Sequence, residues 1–436
     1  MKDAIKIPAF VDQGEPREAL PAAHLEAVLA LSMDELRQNP LYDTGRGKVA
    51  QVLASLGHLY EAKICQAGSL VPLLGRDAFA SDGPTFSVHD ADAGHRGVTV
   101  LPAPPPFAPV GKPQSEKSPF VAVLEQGRCA IGPLGYAVFA RDGSYAVDFC
   151  RNDGPLMACH STGLPPPVRM EGTVAVIPNA WGNAVFHWLL ESIPRVRMLS
   201  WAGIPFSEID KIIFRAVDDW HLEALDLLGV PRSKVFFTNT HHIEADRLII
   251  CADVEDYDYH VIPPSVRPAP WIAQSLYDLV PDESPVGAGG GGRLYISRAN
   301  ATWRRMRNED EITGFLQARG FRVVHFEQMS LREKAAALRE ASVIVSPVGA
   351  GLAHIPLARP GTHVVIFYPD DFMTPTFSSL CEDRKIHHWG AVSPSLERYY
   401  PAQMRTTTSM HRDMLVDLSV LGRILDQIDE TLTATG

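Results

Sequence analysis

The sequence predicts an α/β protein built from two domains with parallel sheets. Short apolar runs typical of buried strands alternate with segments of helical periodicity, first across 173–252 and again, more regularly, across 294–368. Strands that alternate with helices pair in parallel through crossover connections. The length of 436 residues exceeds one ordinary core and suits two domains with smaller attachments.

The first domain is predicted over 120–275. Its beginning, 120–150, has short apolar runs separated by glycine and aspartate, which is typical of hairpin strands. The alternating part that follows is expected to contain strands at 173–177, 211–215, 235–237 and 248–252, with helices at 184–200 and 219–228. This half is expected to be a Rossmann-like domain.

The second domain is predicted over 276–400, after a segment rich in proline and glycine. It is also expected to be Rossmann-like, with strands at 294–297, 321–326, 342–346 and 362–368 and helices at 308–318, 330–340 and 352–358. Two of these helices begin with the spacing of a capping box, Asn308 with Glu311 and Ser330 with Glu333.

Both ends of the chain carry attachments. Residues 1–119 are predicted to form a helical appendage, with two helices inside 22–67, and a proline-rich linker over 101–119. In the C-terminal segment, 401–436, apolar residues from Met414 to Leu432 recur at steps of four and three, which predicts an amphipathic helix. We expect this helix to pack across the two domains; the alternative is a coiled-coil homodimer.

Composition excludes several classes of protein. A formal net charge of -11 argues against coating of nucleic acid, because polyanions are repelled. The six cysteines form no CxxC pair, which argues against a zinc knuckle or a disulfide framework. With no signal-like start and no run of 18 apolar residues, we expect a cytoplasmic protein, with peripheral attachment to the inner face of a membrane left open.

A glycine loop in the second half is the first candidate site. Gly349, Ala350 and Gly351 stand between a buried strand and a helix, where backbone N–H groups and the helix N-terminus favour an anion. A plain turn explains this loop equally well when it is taken alone. The balance changes with a cluster of five arginines within fifteen residues that contain no acid: Arg293, Arg298, Arg304, Arg305 and Arg307.

Guanidinium groups bind phosphate oxygens in pairs and keep their charge. Arg298 directly follows the predicted strand 294–297. Ligands of open α/β sheets lie beyond the carboxyl ends of the strands. Arg298 and the glycine loop are therefore expected to lie together at the same ligand-binding edge of the sheet.

A helix in the first half carries the second candidate site. Asn183, His187 and Glu191 are spaced by four and therefore project from one face. A histidine can take a proton from an attacking hydroxyl, and a carboxylate one turn away can orient the ring. The alternative is a histidine that only packs. Adjacent histidines elsewhere point to opposite sides of a strand and are poor joint metal ligands.

These motifs, in this order, resemble glycosyltransferase family 61 over about 120–369. The first is Asn183-Ala-Val-Phe-His187-Trp188, followed by Glu191 and Pro194-Arg195. The others are Tyr295-Ile296-Ser297-Arg298, then Arg304 with Asn308-Glu309, then Gly349-Ala350-Gly351-Leu352 followed by Pro360-Gly361. The chain departs from the family pattern at Val348, Ala353 and His354, where histidine, threonine and asparagine are usual.

The resemblance implies a GT-B fold, with an N-terminal acceptor domain and a C-terminal nucleotide-sugar domain facing a cleft. It implies that His187 and Glu191 are catalytic and that Asn183 and Trp188 lie on the acceptor side. It further implies that the donor is bound by a second set of residues: Arg298, Arg304, Asn308, Glu309, Gly349, Ala350, Gly351, Leu352 and His354.

We therefore expect an inverting, metal-independent glycosyltransferase without a cofactor. Its donor would be a nucleotide sugar, with a UDP-sugar favoured, and its acceptor a saccharide or a lipid-linked saccharide. The resemblance points to bacterial capsule or lipopolysaccharide synthesis. Two alternatives stay open: a scaffold that keeps the fold without turnover, suggested by Val348 and His354, and another phosphate-handling transferase.

Overall fold

A computed structural model describes residues 85–86, 97–103, 119–131, 135–146, 149, 151–152, 167–179, 184–215, 219–237, 241–252, 255–258, 265–282, 291–370, 372–396 and 413–435. The helices predicted within 22–67, most of the proline-rich linker and Asn183 lie outside the described residues.

The N-terminal unit is one large mixed sheet, to which the described residues contribute eleven strands. The strands are β1 (Thr85–Phe86), β2 (Val98–Pro102), β3 (Phe120–Glu125), β4 (Arg128–Ile131), β5 (Gly135–Phe139), β6 (Tyr145–Ala146), β7 (Arg151–Asn152), β8 (Val168–Ile177), β9 (Lys211–Phe214), β10 (Val235–Phe237) and β11 (His241–Cys251). The sheet therefore includes the region predicted to form hairpins and the region predicted to alternate.

Only part of this sheet is parallel, namely four adjacent strands and the pair β1 and β6 at the far edge. Strands β11, β8, β9 and β10 lie side by side in that order and all run in parallel. The other edge of β11 pairs antiparallel with β3 and with β4. The unit thus differs from a purely parallel Rossmann-like sheet, because the hairpins at 120–150 extend the parallel strands instead of forming a separate layer.

Strand β11 is longer than the predicted strand at 248–252. Its first half alternates polar residues with Ile243 and Ala245, which are both buried. That alternation is typical of a strand with one exposed face, whereas its second half, Leu248–Cys251, is buried throughout. The strand predicted at 248–252 covers only the continuous apolar part.

The helix that follows β8 is interrupted by a wider turn. It comprises Val185–His187, a π-helical turn over Trp188–Ser192 and a regular segment over Ile193–Trp201, and we call the whole helix α1. A π-helical turn rotates the side chains that follow it and occurs often at functional sites. Further elements are α2 (Asp219–Leu227), the hairpin β12 (Glu255–Asp258) and β13 (Ser265–Pro268), and α3 (Pro270–Tyr277).

The C-terminal unit is a five-stranded, fully parallel sheet. Its strands are β14 (Gly292–Ile296), β15 (Phe321–Val324), β16 (Ala341–Pro347), β17 (His363–Pro369) and β18 (His387–Ser393). They lie in the order β15-β14-β16-β17-β18, so the chain reverses its direction of winding between β14 and β16. In doubly wound sheets a ligand binds outside the carboxyl ends of the strands at such a switch point.

Helices cover this sheet, and all of them except the one at Thr376–Asp383 lie where the sequence predicts a helix. They are α4 (Glu309–Gln317), α5 (Leu331–Glu340), a 3-10 helix over Ala350–Leu357, α6 (Thr376–Asp383) and α7 (Leu418–Thr435). The capping box of α5 is confirmed, since the Ser330 side chain accepts from the Glu333 N–H and Glu333 returns the bond. None of these described helices has the length and hydropathy needed to cross a membrane.

Helix α7 packs on the C-terminal unit. Arg293 on β14 pairs with Asp429, and Phe315 on α4 lies beneath Gly422. Its stripe residues Leu421, Leu425 and Ile428 are all buried. The prediction is that this helix packs across both domains, and its main contacts among the described residues are with β14, α4 and β18.

The two units touch along several elements. The Glu223 carboxylate on α2 accepts hydrogen bonds from the N–H groups of Leu331 and Arg332, at 2.6 and 3.1 Å, and so satisfies the N-terminus of α5 in the other unit. Helix α3, assigned to the first domain by sequence up to residue 275, packs against α6 and against the 3-10 helix 350–357.

Candidate active site

Arg298 and Gly349 meet at the switch point of the C-terminal sheet. Arg298 stands two residues beyond β14, and Gly349 stands two residues beyond β16. A Cβ atom on Gly349 would lie 2.1 Å from Arg298 Nη1 and 2.5 Å from its Cζ, so only glycine leaves room for the guanidinium. Arg298 Nη2 donates to the carbonyl of Trp303 at 2.9 Å. The predicted proximity of Arg298 and the glycine loop is confirmed.

Arg304 is the second guanidinium at this place. Its Nε donates to the carbonyl of Val348 at 3.1 Å, and its Cζ lies 5.5 Å from the centre of the Phe372 ring. Burial, followed by the positive charge of Arg298, lowers the pKa of Arg304 to about 10. An anion placed between two partly desolvated cations stabilises both, because it offsets their mutual repulsion and replaces their lost hydration.

The other three arginines of the cluster have protein partners. Arg293 pairs with Asp429 on α7. Arg305 Nη2 and Arg307 Nε lie 3.5 and 3.1 Å from Oδ2 of the buried Asp413. Both carboxylates come from the C-terminal segment, more than one hundred residues away in sequence. Arg298 and Arg304 are therefore the members of the cluster that converge on the glycine loop.

The helix after the glycine loop is only partly accessible. Ala350 and Gly351 are half-buried, whereas Leu352 and His354 are 1% and 2% exposed. His354 Nδ1 lies 2.9 Å from the carbonyl oxygen of Gly351, and the ring stands edge-on to Phe326. The side chains of Leu352 and His354 belong to the core and so do not support the predicted contact with the donor.

Burial, and then the positive charge of Lys334, lower the pKa of His354 to about 3, from an ordinary value of 6.5. The unfolded chain consequently binds a proton at His354 between pH 6.5 and 3 while the folded chain does not. This contribution to stability is complete above pH 6.5 and is lost as the pH falls.

We expect His354→Asn to flatten the fall in unfolding free energy below pH 6.5. At pH 5 the titration of His354 costs the wild type at most about 2 kcal/mol relative to pH 7. Urea unfolding at pH 7 and pH 5 measures both proteins, with His387→Asn, at an exposed histidine, as the control. Equal losses in wild type and His354→Asn would contradict a neutral, buried His354.

Gly349→Ala is expected to weaken binding of a nucleoside diphosphate about tenfold. The backbone φ of Gly349 is 177°, a value that any residue adopts, so alanine causes no backbone strain there. The added methyl therefore acts only by displacing the Arg298 guanidinium, which is the flexible end of a side chain. Stability is therefore expected to change by less than about 1 kcal/mol. Gly351→Ala is the matched control, because its Cβ would meet only Phe326 at 3.8 Å. Calorimetry measures the affinity of both variants for UDP, and equal affinities would refute the prediction.

Asn308 binds the backbone of a distant segment and does not face the candidate site. Its side chain bonds to the backbone of Val416 twice, as donor to the carbonyl at 2.9 Å and as acceptor from the N–H at 3.2 Å. The predicted capping box with Glu311 is wrong, since Asn308 makes no side-chain cap to α4 and instead donates from Nδ2 to the Glu311 carboxylate at 3.4 Å. An amide engaged on both sides does not support the predicted contact with the donor.

Glu309 lies beneath the turn that carries Arg298. Its Oε1 accepts from the Tyr295 hydroxyl at 2.8 Å and from the Ser297 hydroxyl at 2.5 Å. Burial and the neighbouring Glu309 carboxylate both raise the pKa of Tyr295, burial being the larger cause. The predicted donor-binding residue thus contacts the strand that precedes Arg298.

His187 and Glu191 form a pair at the beginning of α1. His187 Nδ1 bonds to Glu191 Oε1, and Arg195 Nη1 lies 3.6 Å from Glu191 Oε2. The side chain of His187 is 18% exposed, whereas those of Glu191 and Arg195 are 1% and 0% exposed. A buried carboxylate requires such a partner to stay charged. A carboxylate at Nδ1 favours the tautomer whose Nε2 accepts a proton.

Arg195 is not among the site residues that the sequence predicts. Its signal is nevertheless present, because Arg195 follows Glu191 by the same step of four that separates Glu191 from His187. Arg195 also donates to the carbonyl of Pro178 at 3.0 Å and to the Tyr136 hydroxyl at 3.4 Å. These contacts anchor the pair to the end of β8.

Trp188 is a core residue. Only 1% of it is exposed, and its ring packs against those of Phe214 and His221, with centroids 5.1 and 4.3 Å away. Such burial does not support its predicted place on the acceptor side. Successive residues of a helix project about 100° apart, so the side chain after His187 faces the sheet.

The beginning of α1 faces the C-terminal unit. The Phe186 ring contacts His187 and, edge-on at 6.1 Å, Phe377 on α6. The first turn of α1 also packs against the 3-10 helix 350–357, which starts at the glycine loop. The candidate base and the two convergent arginines are therefore presented by elements that touch. Across the described residues, no group of three or more His, Cys, Asp or Glu is arranged to hold a metal ion.

Residues 185–365 match the family model described as Glycosyltransferase 61. The matched segment begins at the first turn of α1 and ends within β17, so it includes His187, Glu191, Arg298, Arg304 and the glycine loop. No curated protein matches the chain.

Proposed function

We propose that the chain is a glycosyltransferase that moves a sugar from a nucleotide-sugar donor to a hydroxyl of a saccharide acceptor. The match to Glycosyltransferase 61 over 185–365 supports the class of reaction. The observation that carries the proposal is the convergence of Arg298 and Arg304 on Gly349 at the switch point of a parallel sheet. Such a place suits the diphosphate of a nucleotide sugar.

In the proposed reaction, the two guanidinium groups stabilise the charge that develops on the departing nucleoside diphosphate. His187 accepts the proton of the acceptor hydroxyl as its oxygen attacks the anomeric carbon from the face opposite the leaving group. The bond to the diphosphate oxygen breaks, the bond to the acceptor oxygen forms, and the anomeric configuration inverts. Glu191 and Arg195 hold the His187 ring in place.

The finer features of the proposal are those implied by the family resemblance. We propose a two-domain GT-B arrangement, metal-independent transfer, a UDP-sugar as donor and an acceptor of surface polysaccharide or glycolipid type. We also propose a cytoplasmic location. The two positions that suggested a scaffold without turnover do not weaken the proposed site, because Val348 is buried with its carbonyl bound to Arg304 and His354 lies in the core.

Incubation of the full chain with a panel of nucleotide sugars and simple saccharides tests the proposal. We expect release of one nucleoside diphosphate and a product heavier by one sugar, detected by mass. Chain that binds a nucleoside diphosphate in calorimetry yet transfers nothing would indicate the scaffold alternative. Chain that binds none would refute the proposed site.

A further inference from the structure

Glu309 occupies an unusual place for a residue in a donor site. It is the first residue of α4, where the helix N-terminus stabilises a carboxylate. One of its oxygens, Oε1, accepts both the Tyr295 and the Ser297 hydroxyls. Ser297 Oγ in turn accepts from the N–H of Ala299 at 3.1 Å. Glu309 and Ser297 together therefore fix the chain on both sides of Arg298.

Glu309 does not pair directly with Arg298. Among the described residues, the hydrogen bond recorded for the guanidinium goes to the carbonyl of Trp303, and no carboxylate lies within the 4 Å of an ion pair. Its charge acts only through space, together with that of Glu327, against the burial that lowers the pKa of Arg298. The guanidinium thus keeps its donors for another anion.

Direct contact between Glu309 and the donor phosphates is also unfavourable. A carboxylate and a diphosphate carry like charges and repel each other. The oxygen that is engaged already accepts two hydroxyl donors, so its geometry is set by Tyr295 and Ser297. The role that remains is to hold the turn from which Arg298 projects over Gly349.

We infer that Glu309 is a positioning residue that acts through Arg298: its Oε1 fixes the Ser297–Ala299 turn and so keeps the guanidinium over the glycine loop. The inference rests on the proposed function, in which Arg298 binds the donor diphosphate. The placement of Arg298 requires a hydrogen-bond acceptor at position 309 and does not require the negative charge of Glu309.

Calorimetry with UDP on the full chain separates these properties. Glu309→Gln keeps the acceptor oxygen and is expected to bind UDP within about threefold of wild type, whereas Glu309→Ala removes it and is expected to bind at least about tenfold more weakly. Asp310→Ala, at the exposed residue that follows Glu309 in α4, is the matched control and should bind as wild type does. Equal losses in Glu309→Gln and Glu309→Ala would overturn the inference.

One further variant, with two additional substitutions, guards against a loss of stability. Glu309→Ala leaves two hydroxyls without their acceptor, so Tyr295→Phe and Ser297→Ala are combined with it to remove those hydroxyls as well. This triple variant is expected to fold and to bind UDP as weakly as Glu309→Ala; affinity equal to wild type would overturn the inference.

Introducing Glu309→Ala into Arg298→Ala provides the last test. We expect no additional loss of affinity, because a positioning residue has nothing left to position. A full additional loss would assign Glu309 a separate contact and refute the inference. Wild-type affinity in Arg298→Ala alone would instead refute the proposed function, so the two failures can be told apart.

Discussion

Arg298→Ala is expected to reduce the affinity for UDP at least about 100-fold, which corresponds to about 2.7 kcal/mol. The guanidinium lies at the switch point, over a glycine that leaves no room for a side chain, and it keeps donors for an anion. A charge-assisted pair of hydrogen bonds in a partly desolvated site is worth this amount. Removing it also eases the repulsion on Arg304, which offsets a small part of the loss.

Calorimetry with UDP measures this effect, and unfolding in urea confirms that the variant is folded. Arg322→Ala is the matched control, because Arg322 is an exposed arginine whose partner is Glu340 on the surface. Arg298→Lys is expected to fall between wild type and Arg298→Ala, since lysine keeps the charge but not the paired geometry. Affinity in Arg298→Ala within about threefold of wild type would remove the basis of the proposed site.

His187→Ala is expected to reduce the rate of sugar transfer about 100- to 10,000-fold, the usual contribution of a general base. Affinity for UDP should stay within about threefold of wild type, because His187 belongs to α1 and not to the arginine pair. The expected result is therefore a loss in kcat without a loss of donor binding. The product assay and calorimetry with UDP provide the two measurements.

His325→Ala is a suitable control for this variant, since His325 is a partly exposed histidine next to Glu327 in the other unit. Glu191→Gln tests the His187–Glu191 pair by changing its buried member. It leaves Arg195 without its counter-charge, so a loss of stability is expected along with the loss of rate. If His187→Ala transfers sugar at the wild-type rate, another group takes the proton and the assignment fails.

The sequence predicted the part of the fold that depends on local pattern. Apolar periodicity gave the alternating elements of both halves, and the Ser330–Glu333 spacing identified a true capping box. The rule that ligands lie beyond the carboxyl ends of parallel strands predicted that Arg298 and Gly349 lie together, as they do. These inferences hold because each depends on residues close in sequence or on a general property of parallel sheets.

The sequence could not select among residues of the same type. Which arginines face the site is decided by Asp413 and Asp429, carboxylates that reach three of the five from a distant segment. Asn308 is likewise engaged by Val416, so its apparent cap is only a coincidence of spacing. Such pairings depend on residues that are remote along the chain.

Trp188 and His354 illustrate the same limit within the motifs themselves. Each lies beside a residue of the proposed site, yet the helix turns it into the core. By itself, the sequence determined the alternation of elements and the sheet edge at which Arg298 and Gly349 lie together, because local periodicity sets strands and helices. Only the tertiary structure decided which polar side chains stay accessible there, because burial and ion pairing are settled by neighbours that come together on folding.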